Sequence, residues 1–316
     1  MPHPAPFLAT FRSVLSYHLY RRGGDQSLRS FTCSSFEMGS NSPPGPGCRE
    51  WYPVRQLLGY PGHEFILIIL HQPIRDPCLF GDLWSKAETK IAADGGANRI
   101  YDLSQRVARE KGTAGTPEPF TDLDTIIGDL DSLTDQTRQY FSHSRIIRER
   151  EQESTDFAKA VNLARKESPG RDIICMGGLG GRVDQGLSQL HHLYLFQKSP
   201  TYADGRMYLV SGDSLSFILK GGVRHRIRVR EPALDVADTF RRVSRDPFAK
   251  HVGIIPVGEP AVISTKGFEW DVRDWDTAFG YRMSTSNHVL PDSEVVEVQA
   301  DKDVLFTIAL KQVSND

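Results

Sequence analysis

The sequence predicts an α/β layer followed by a second, mostly antiparallel β domain. In the first part, short apolar runs alternate with amphipathic segments, which is the pattern of a sheet with crossover helices. Beyond about Ser211 the helical periodicity fades, and alternating or β-branched runs replace it. These two observations predict an α/β domain over residues 50–211 and a β domain over residues 212–316.

The α/β part contains its candidate strands and helices in alternation. Strands are predicted at Phe65–Leu70, Lys90–Ala93, Thr125–Gly128, Arg145–Arg148, Asp172–Met176 and Met207–Val210. Helices are predicted at about Asn98–Lys111, Thr134–Phe141, Thr155–Lys166 and Asp184–Gln197. The third helix is the clearest, because Phe157, Val161 and Ala164 recur at the spacing of one helix face.

The β part contains several candidate strands and one segment without a clear period. Strands are predicted at Leu215–Leu219, Val252–Val257, Ala261–Thr265, Val295–Val298 and Val304–Leu310. The segment 223–251 is rich in arginine, and we expect a solvated insertion there rather than a binding surface.

The composition argues against two kinds of partner. A formal net charge of −2 gives no global electrostatic reason to expect nucleic acid. The longest aliphatic run, Phe65–Leu70, is far below the roughly 20 residues that a membrane-spanning helix needs. The four cysteines show no C-x-x-C pair, so neither a zinc site nor a disulfide framework is indicated. We expect a cytoplasmic protein that binds neither nucleic acid nor membrane.

Residues 1–49 are expected to lie outside the fold. The first 37 residues combine four arginines with many serines, and Asp25 is the only acid before Glu37. This composition is typical of a transit peptide, so mitochondrial targeting is one interpretation. The other is a disordered leader, with the real start at Met38.

Asp94 opens the first of four polar motifs that follow predicted strands. It ends a strand, and Gly95 and Gly96 lead into the helix at Asn98. Ligands of parallel sheets collect at such strand ends, and glycines let a phosphate approach the backbone. An ordinary turn between strand and helix explains the same residues.

Two carboxylates follow the next strand, in the sequence Gly128-Asp129-Leu130-Asp131-Ser132. If the strand geometry continues, Asp129 and Asp131 project to the same side. Magnesium is usually held by one or two carboxylates together with substrate phosphates. The alternative is an acidic turn in which Asp131 caps a helix.

The third motif begins the clearest helix, with Thr155, Asp156 and Lys159. Ser154 or Thr155 suits a helix N-cap, and Asp156 suits the positive end of the helix dipole, so an ordinary helix start explains these residues equally well. Lys159 lies one turn beyond Thr155, where a cation and a hydroxyl could both reach a phosphate.

The fourth motif is a glycine-rich loop between a strand and a helix. It contains Gly178, Gly180, Gly181, Arg182, Asp184 and Gln185. Its amides could approach a nucleotide, and Arg182 offers a rigid fork to phosphate oxygens. The loop does not fit G-x-G-x-x-G, and the chain contains no P-loop.

These four loops are expected to converge on one edge of one sheet. Together they supply acids for a metal ion, cations and amides for phosphates, and no evident nucleophile. This set of groups suits phosphoryl-type transfer, in which positioning and charge neutralisation do most of the catalysis.

The motifs resemble those of the thiamin pyrophosphokinase family in order and spacing. They read A-D-G-G-A-N, G-D-x-D-S, Q-x-S-T-D-F-x-K, G-G-x-G-G-R-x-D and S-T-S-N, over roughly Glu50 to Leu310. The resemblance implies an N-terminal Rossmann-like α/β catalytic domain that binds ATP and a C-terminal antiparallel β-sandwich that binds thiamin. It also implies magnesium, a homodimer with sites at the subunit interface, and transfer of diphosphate to give thiamin diphosphate and AMP.

The resemblance assigns roles to individual residues of this chain. Magnesium and the diphosphate would meet Asp94, Asp129 and Asp131. The remaining catalytic residues would be Asp156, Lys159, Arg182 and Asp184. ATP would be bound by Gly95, Gly96, Asn98, Ser132, Thr155, Gly178, Gly180, Gly181 and Gln185, and thiamin by Trp270 and the turn Ser284, Thr285, Ser286 and Asn287. A Trp face attracts a cationic thiazolium ring, although a core aromatic is an equally good interpretation of Trp270.

One departure and two alternatives qualify this assignment. The family motif can end in histidine, whereas this chain has Gln185, so no histidine base is proposed there. A sensor of the same fold that binds nucleotide or thiamin without turnover is one alternative, against which the intact acids argue. A diphosphokinase for another small alcohol is the other, against which Ser286 and Asn287 argue.

Overall fold

A computed structural model describes residues 47–111, 118–151, 153–231 and 246–311. The leader predicted over residues 1–49 therefore lies outside the described residues, except for its last three positions. Cys48 and Arg49 belong to a strand, so the leader ends earlier than predicted. Among the described residues, no helix is both long and apolar enough to cross a membrane.

The six helices of the described residues all belong to the predicted α/β part. They are α1 (Pro53–Leu58), α2 (Pro77–Lys86), α3 (Gly96–Lys111), α4 (Asp135–Tyr140), α5 (Asp156–Glu167) and α6 (Val183–Phe196). The last four confirm the predicted helices to within two residues at either end. The sequence analysis missed α1 and α2, both of which begin at a proline.

The strands form two sheets. They are β1 (Cys48–Trp51), β2 (Phe65–Ile69), β3 (Thr89–Ala93), β4 (Thr125–Gly128), β5 (Arg145–Arg148), β6 (Asp172–Met176), β7 (Met207–Val210), β8 (Ser214–Leu219), β9 (Val223–Arg228), β10 (Phe248–Ile255), β11 (Ala261–Lys266), β12 (Trp275–Thr277), β13 (Ser284–His288), β14 (Val295–Ala300) and β15 (Val304–Leu310). The ten-stranded sheet has the order β13-β10-β15-β8-β7-β6-β2-β3-β4-β5, and the five-stranded sheet has the order β1-β9-β14-β11-β12.

One half of the ten-stranded sheet is parallel. Strands β7, β6, β2, β3, β4 and β5 pair in parallel, and the chain changes direction across the sheet between β2 and β6. In β2, Phe65 and Leu67 face one hydrophobic core while Ile66 and Ile68 face another. This period-two alternation, with every residue buried, explains why a strand covered on both faces has a continuous apolar sequence.

The other half of the ten-stranded sheet is antiparallel and forms one layer of the sandwich. Strand β8 pairs antiparallel with β7, so the α/β sheet continues directly into this half. The five-stranded sheet covers it, and Trp51 of β1 stacks on Phe217 of β8 with ring centroids 4.4 Å apart. The fold is thus an α/β domain followed by a β-rich domain, with β1 contributed to the sandwich from the start of the described chain.

The predicted insertion over residues 223–251 is wrong at both ends. Strand β9 pairs antiparallel with β14 and in parallel with β1, and β10 begins at Phe248. Within β9, His225 and Ile227 are buried while the intervening Arg226 is only partly so. The arginines hid this alternation, because they line the less buried face. Residues 232–245 lie outside the described residues.

Candidate active site

A cleft of about 670 Å³ lies where β3 and β4 end and α5 begins. Asp94 follows β3, Asp129 follows β4, and Asp156 is the first residue of α5. Carboxylate oxygens of these three residues all lie within 4.8 Å of one another. We call the three residues the acidic cluster and the cavity the acidic cleft.

Gly128 explains why the carboxylates come so close. It is the last residue of β4, and a Cβ atom at this position would lie 2.7 Å from the Cβ of Asp94. The same atom would lie 3.1 Å from Oδ1 of Asp156. A larger residue would therefore push both aspartates away from the end of the strand.

Asp94 is the most buried member of the acidic cluster, with 5% of its surface exposed. Its Oδ2 accepts a hydrogen bond from the Ser132 backbone N–H at 3.3 Å, but within the described residues its buried Oδ1 has no partner. Burial raises the pKa of Asp94, and the charges of Asp156 and Asp129 raise it further, against the hydrogen bonding of Ser132. An unpaired buried oxygen beside two carboxylates fits a hard divalent cation such as Mg²⁺.

Lys159 brings a positive charge to the same cleft. Its side chain is 4% exposed, and its Nζ lies 3.1 Å from Oδ1 of Asp156. Both residues belong to the first turns of α5, which Thr155 caps by accepting a hydrogen bond from the Ala158 N–H at 3.1 Å. The helix start therefore fixes an acid and a cation on one wall of the cleft.

The expectation that Asp129 and Asp131 project to the same side is wrong. Strand β4 ends at Gly128, and Leu130 has a φ of 67°, so the chain turns and the strand alternation stops. The exposed carboxylate of Asp131 lies 3.6 Å from the Arg148 guanidinium, while its backbone N–H donates to Oδ1 of Asp129 at 3.2 Å. Asp156 takes the position beside Asp129 that the sequence analysis expected for Asp131.

In the first motif, Asp94 and Gly95 line the acidic cleft, whereas Gly96 and Asn98 have structural contacts. A Cβ atom on Gly96 would lie 2.2 Å from the Ile69 carbonyl oxygen, so α3 touches β2 there. The Asn98 amide donates to the Ser132 carbonyl at 2.7 Å and accepts from the Thr134 N–H at 3.3 Å. Asn98 thereby holds the turn after β4 in place.

The glycine-rich loop meets the acidic cleft only through Gln185. The exposed Arg182 and Asp184 pair with each other, with Nε of the arginine 3.0 Å from Oδ1 of the aspartate. Gly180 lines a second cavity of about 310 Å³, which opens beside the ends of β6 and β7. Of the other loop glycines, Gly178 is buried and Gly181 is exposed.

The cleft also contains residues that were not among the predicted site residues. They are Leu70, His71, Ala93, Glu151, Glu153, Ser154, Phe157, Ser188 and Gln189. Two signals were available. His71 follows the end of a predicted strand, and Ser188 and Gln189 lie three and four residues after Gln185 on one helix face.

Two family models and several curated relatives match this chain. The thiamin pyrophosphokinase catalytic domain matches residues 80–203, and the thiamin pyrophosphokinase vitamin B1 binding domain matches residues 239–305. Thiamine pyrophosphokinase 3 of Oryza sativa subsp. japonica is 31% identical over 273 residues, covering 80% of this chain and 90% of that protein. This chain belongs to the thiamin pyrophosphokinase family.

Further members of the thiamin pyrophosphokinase family agree in sequence and in fold. Thiamine pyrophosphokinase 1 of Arabidopsis thaliana is 31% identical over 260 residues, covering 79% of this chain and 88% of that protein. The crystal structure of yeast thiamin pyrophosphokinase superposes with a TM-score of 0.67 at 24% identity, covering 83% of this chain and 91% of that chain. The structure from Candida albicans gives 0.66 at 22% identity, with 85% and 95% covered.

The residues that the family resemblance assigns to thiamin lie away from the lining of the acidic cleft. Ser284, Thr285, Ser286 and Asn287 form most of β13, an edge strand paired with β10, so the predicted turn is wrong. The Asn287 side chain is buried and clamps the backbone of Trp270. Its Oδ1 accepts from the Trp270 N–H at 3.2 Å, and its Nδ2 donates to the Trp270 carbonyl at 2.9 Å. Trp270 itself is 54% exposed.

Proposed function

We propose that this chain transfers the diphosphate group of ATP to the hydroxyl group of thiamin, giving thiamin diphosphate and AMP. The observation that carries the proposal is the acidic cluster beside the buried ammonium of Lys159. Such a site supplies positioning and charge neutralisation, which phosphoryl-type transfer needs more than a protein nucleophile. Membership of the thiamin pyrophosphokinase family supports thiamin and ATP as the substrates.

We place the magnesium ion at the acidic cluster formed by Asp94, Asp129 and Asp156. The unpartnered oxygen of Asp94 and the short distances between the carboxylates support this assignment. When bound, Mg²⁺ would neutralise phosphate oxygens of ATP, which three carboxylates would otherwise repel. Asp131 remains a candidate ligand that would need the turn after β4 to rearrange.

Different residues of the chain are proposed to bind the phosphates, ATP and thiamin. The ammonium of Lys159 offsets negative charge of the phosphates, and its salt bridge with Asp156 holds it in the cleft. Residues 50–211 are proposed to hold ATP and residues 212–316 to hold thiamin. The exposed face of Trp270 suits the cationic thiazolium ring.

The distance between the two sets of residues supports a homodimer with shared sites. Asp94 follows β3, the eighth strand of the ten-stranded sheet, while Ser284–His288 is the first strand. Seven steps of about 4.8 Å separate them by about 34 Å across the sheet. A thiamin molecule on Trp270 of one chain would therefore meet the acidic cluster of a second chain.

Exposed apolar side chains on both sets of elements favour the same assembly. Two of them lie at the start of α6, and the others lie between β12 and β13 or just after β13. They are Val183, Leu187, Phe279, Tyr281, Met283 and Leu290. Large exposed apolar side chains of this kind are candidates for burial in a protein interface.

A product assay tests the reaction. The purified chain is incubated with ATP, Mg²⁺ and thiamin, and the products are separated by chromatography. We expect thiamin diphosphate and AMP in equal amounts, with label from the γ-phosphorus of ATP in thiamin diphosphate and label from the α-phosphorus in AMP. Formation of ADP with thiamin monophosphate would overturn the proposal. Binding of both ligands without release of AMP would favour a sensor.

A hybrid dimer tests whether the site is shared. One chain carries Asp129→Asn and the other carries Trp270→Ala, and activity is measured at low thiamin. If the site combines both chains, each hybrid dimer contains one fully native site. Random pairing of equal amounts then restores about a quarter of the native sites. If each chain contains its own site, the mixture is no more active than the average of the two variants.

The cellular location is proposed to be the cytoplasm. A fluorescent fusion of the full chain is compared with one that starts at Met38. A mitochondrial signal that requires the first 37 residues would support the transit-peptide interpretation instead.

A further inference from the structure

A hydrogen bond joins the start of α5 to the middle of α6. Oγ1 of Thr155, the N-cap of α5, lies 2.7 Å from Nε2 of His192. His192 is 4% exposed. The sequence analysis gave His192 no role, and its position on α6 is seven residues beyond Gln185, on the same helix face as the cleft residues Ser188 and Gln189.

The surroundings of His192 decide which way this hydrogen bond runs. Nδ1 of the ring lies 2.5 Å from the Ser188 carbonyl oxygen, which can only accept a hydrogen bond. Nδ1 therefore carries the hydrogen, and Nε2 of the neutral ring presents a lone pair. Burial lowers the pKa of His192, which agrees with a neutral ring. It follows that the Thr155 hydroxyl donates and Nε2 accepts.

In this arrangement the Thr155 hydroxyl both accepts a hydrogen bond and donates its only hydrogen. Its oxygen accepts from the Ala158 N–H at 3.1 Å, and its hydrogen is committed to His192. A phosphate oxygen needs a donor, so this Thr155 hydroxyl has no hydrogen left to offer to ATP. The role of Thr155 is then to fix the first turn of α5.

The first turn of α5 carries charged groups of the active site. Asp156 follows Thr155 directly and belongs to the acidic cluster, and Lys159 lies one turn further along and pairs with Asp156. The His192 ring also packs on Phe157 with ring centroids 4.9 Å apart. A displacement of His192 would therefore move both Asp156 and Lys159.

We propose that His192 is a positioning residue, which accepts the Thr155 hydroxyl hydrogen and thereby holds Asp156 and Lys159 in the geometry that binds the metal ion. This inference rests on the proposed function, because the acidic cluster is taken to hold Mg²⁺ for the transfer reaction. It assigns Thr155 to the support of α5 and not to direct contact with ATP.

Paired substitutions at both ends of the hydrogen bond test the proposal in the full chain. His192→Leu removes the acceptor, whereas His192→Gln keeps an oxygen that can accept near the same place. Thr155→Val removes this donor together with the cap acceptor for the Ala158 N–H, whereas Thr155→Ser keeps both. His143→Leu, at an exposed histidine outside the cleft, is the matched control. The measurements are kcat, the Mg²⁺ concentration for half-maximal rate, Mn²⁺ binding by electron paramagnetic resonance with ATP, and the melting temperature.

We expect His192→Leu and Thr155→Val each to lower kcat and weaken Mn²⁺ binding about 10-fold, the usual effect of removing an outer partner of a metal ligand. His192→Gln and Thr155→Ser should stay within about 3-fold of the native values. The double variant His192→Leu/Thr155→Val should be no more than about 2-fold worse than Thr155→Val, because the hydrogen bond to His192 is already lost in that single variant. His143→Leu should match the native chain.

Several results would overturn the proposal. Native Mn²⁺ binding in His192→Leu with only a lower melting temperature would make His192 a core residue. Effects of His192→Leu and Thr155→Val that multiply in the double variant would mean that the two residues act separately. If His192→Leu does not fold, His192→Phe decides, because it keeps a ring against Phe157 but offers no hydrogen-bond acceptor to Thr155. If the native chain forms no thiamin diphosphate, the proposed function fails, while Mn²⁺ binding still tests the role of His192.

Discussion

Replacing Asp129 by asparagine should stabilise the metal-free protein and inactivate it at the same time. The acidic cluster places Asp129 within 4.8 Å of the ligand oxygens of Asp94 and Asp156. At an effective dielectric constant of about 20, two unit charges at this distance repel each other by about 3 kcal/mol. The substitution removes one charge and relieves two such repulsions.

The net gain should be smaller than the sum of these repulsions. Asp129 and Asp156 are partly exposed, so water screens their charges, and Lys159 already offsets part of them. The side-chain oxygen of the new asparagine can still accept the hydrogen bond from the Asp131 N–H, which measures 3.2 Å in the native chain. We therefore expect the free energy of unfolding to rise by about 1–3 kcal/mol without metal, within the usual range for relief of a like-charge contact.

Activity should change in the opposite direction. Loss of one electrostatic contact that acts on the transferred group typically costs about 100-fold or more in kcat. Mg²⁺ with ATP should stabilise the native chain more than Asp129→Asn, because binding to the native state adds to its stability. When the ligands are added, the difference between the melting temperatures of the variant and the native chain should therefore shrink or change sign.

The assay is urea unfolding in the presence of a chelator, together with kcat at saturating Mg²⁺. Asp292→Asn, in the exposed turn between β13 and β14, is the matched loss of one negative charge and should leave kcat unchanged. A metal-free Asp129→Asn protein that is less stable than the native chain would refute the repulsion argument. A near-normal kcat would refute the assignment of Asp129 to the metal site.

Three further predictions follow from other contacts. Trp270→Ala should raise the KM for thiamin about 5- to 30-fold, corresponding to about 1–2 kcal/mol of lost cation–π contact, with little change in the KM for ATP. Asn287→Ala should raise the KM for thiamin similarly, and the two effects should not multiply in the double variant, because Asn287 holds the Trp270 backbone. Equal effects on the KM values of both substrates would point to misfolding. Burial lowers the pKa of His225 from 6.5 to about 4. The stability that the neutral ring contributes is therefore complete above pH 6.5 and is lost, by up to about 3 kcal/mol, as the pH falls towards 4. The free energy of unfolding in urea should depend less on pH in this window for His225→Gln than for the native chain, and an unchanged dependence would contradict the buried neutral ring. Gly96→Ala should lower the free energy of unfolding by at least about 1–3 kcal/mol, because the new methyl group would overlap the Ile69 carbonyl. Thermal unfolding measures this effect, and a native melting temperature would show that α3 can move away from β2.

The parallel strands and their following helices could be predicted from the sequence because their signals are local. Thr125–Gly128, Arg145–Arg148 and Asp172–Met176 are strands with the predicted bounds. A strand buried on both faces, such as Thr125–Gly128, is mostly apolar over its length, and this pattern does not depend on which strands become neighbours. Arg145–Arg148 is instead a partly exposed edge strand with an apolar centre. The cap of α5 is equally local, because a hydroxyl residue just before the helix suits an N-cap, and the structure selects Thr155 over Ser154.

The five-stranded sheet was predicted less completely, because its strands depend on partners far away in the chain. Strand β1 pairs in parallel with β9, whose residues lie more than 170 positions later. The buried His225 in β9 accepts a hydrogen bond from the Trp51 indole N–H at 3.0 Å. The residues near His225 in the sequence do not include Trp51, so nothing local shows that His225 is buried. Its arginine-rich strand therefore resembled a solvated segment.

The membership of the acidic cluster was decided by the tertiary structure. The sequence alone placed Asp94, Asp129 and Asp156 after or near strand ends, and it favoured Asp131 as the partner of Asp129 by extending strand alternation. The left-handed turn at Leu130 ends that alternation, and the packing of α5 against β3 and β4 brings Asp156 to the side of Asp129. Residue types and their order determine which chemistry the chain can perform, whereas the distances between its carboxylates arise from how the sheet orders strands that are separated along the chain.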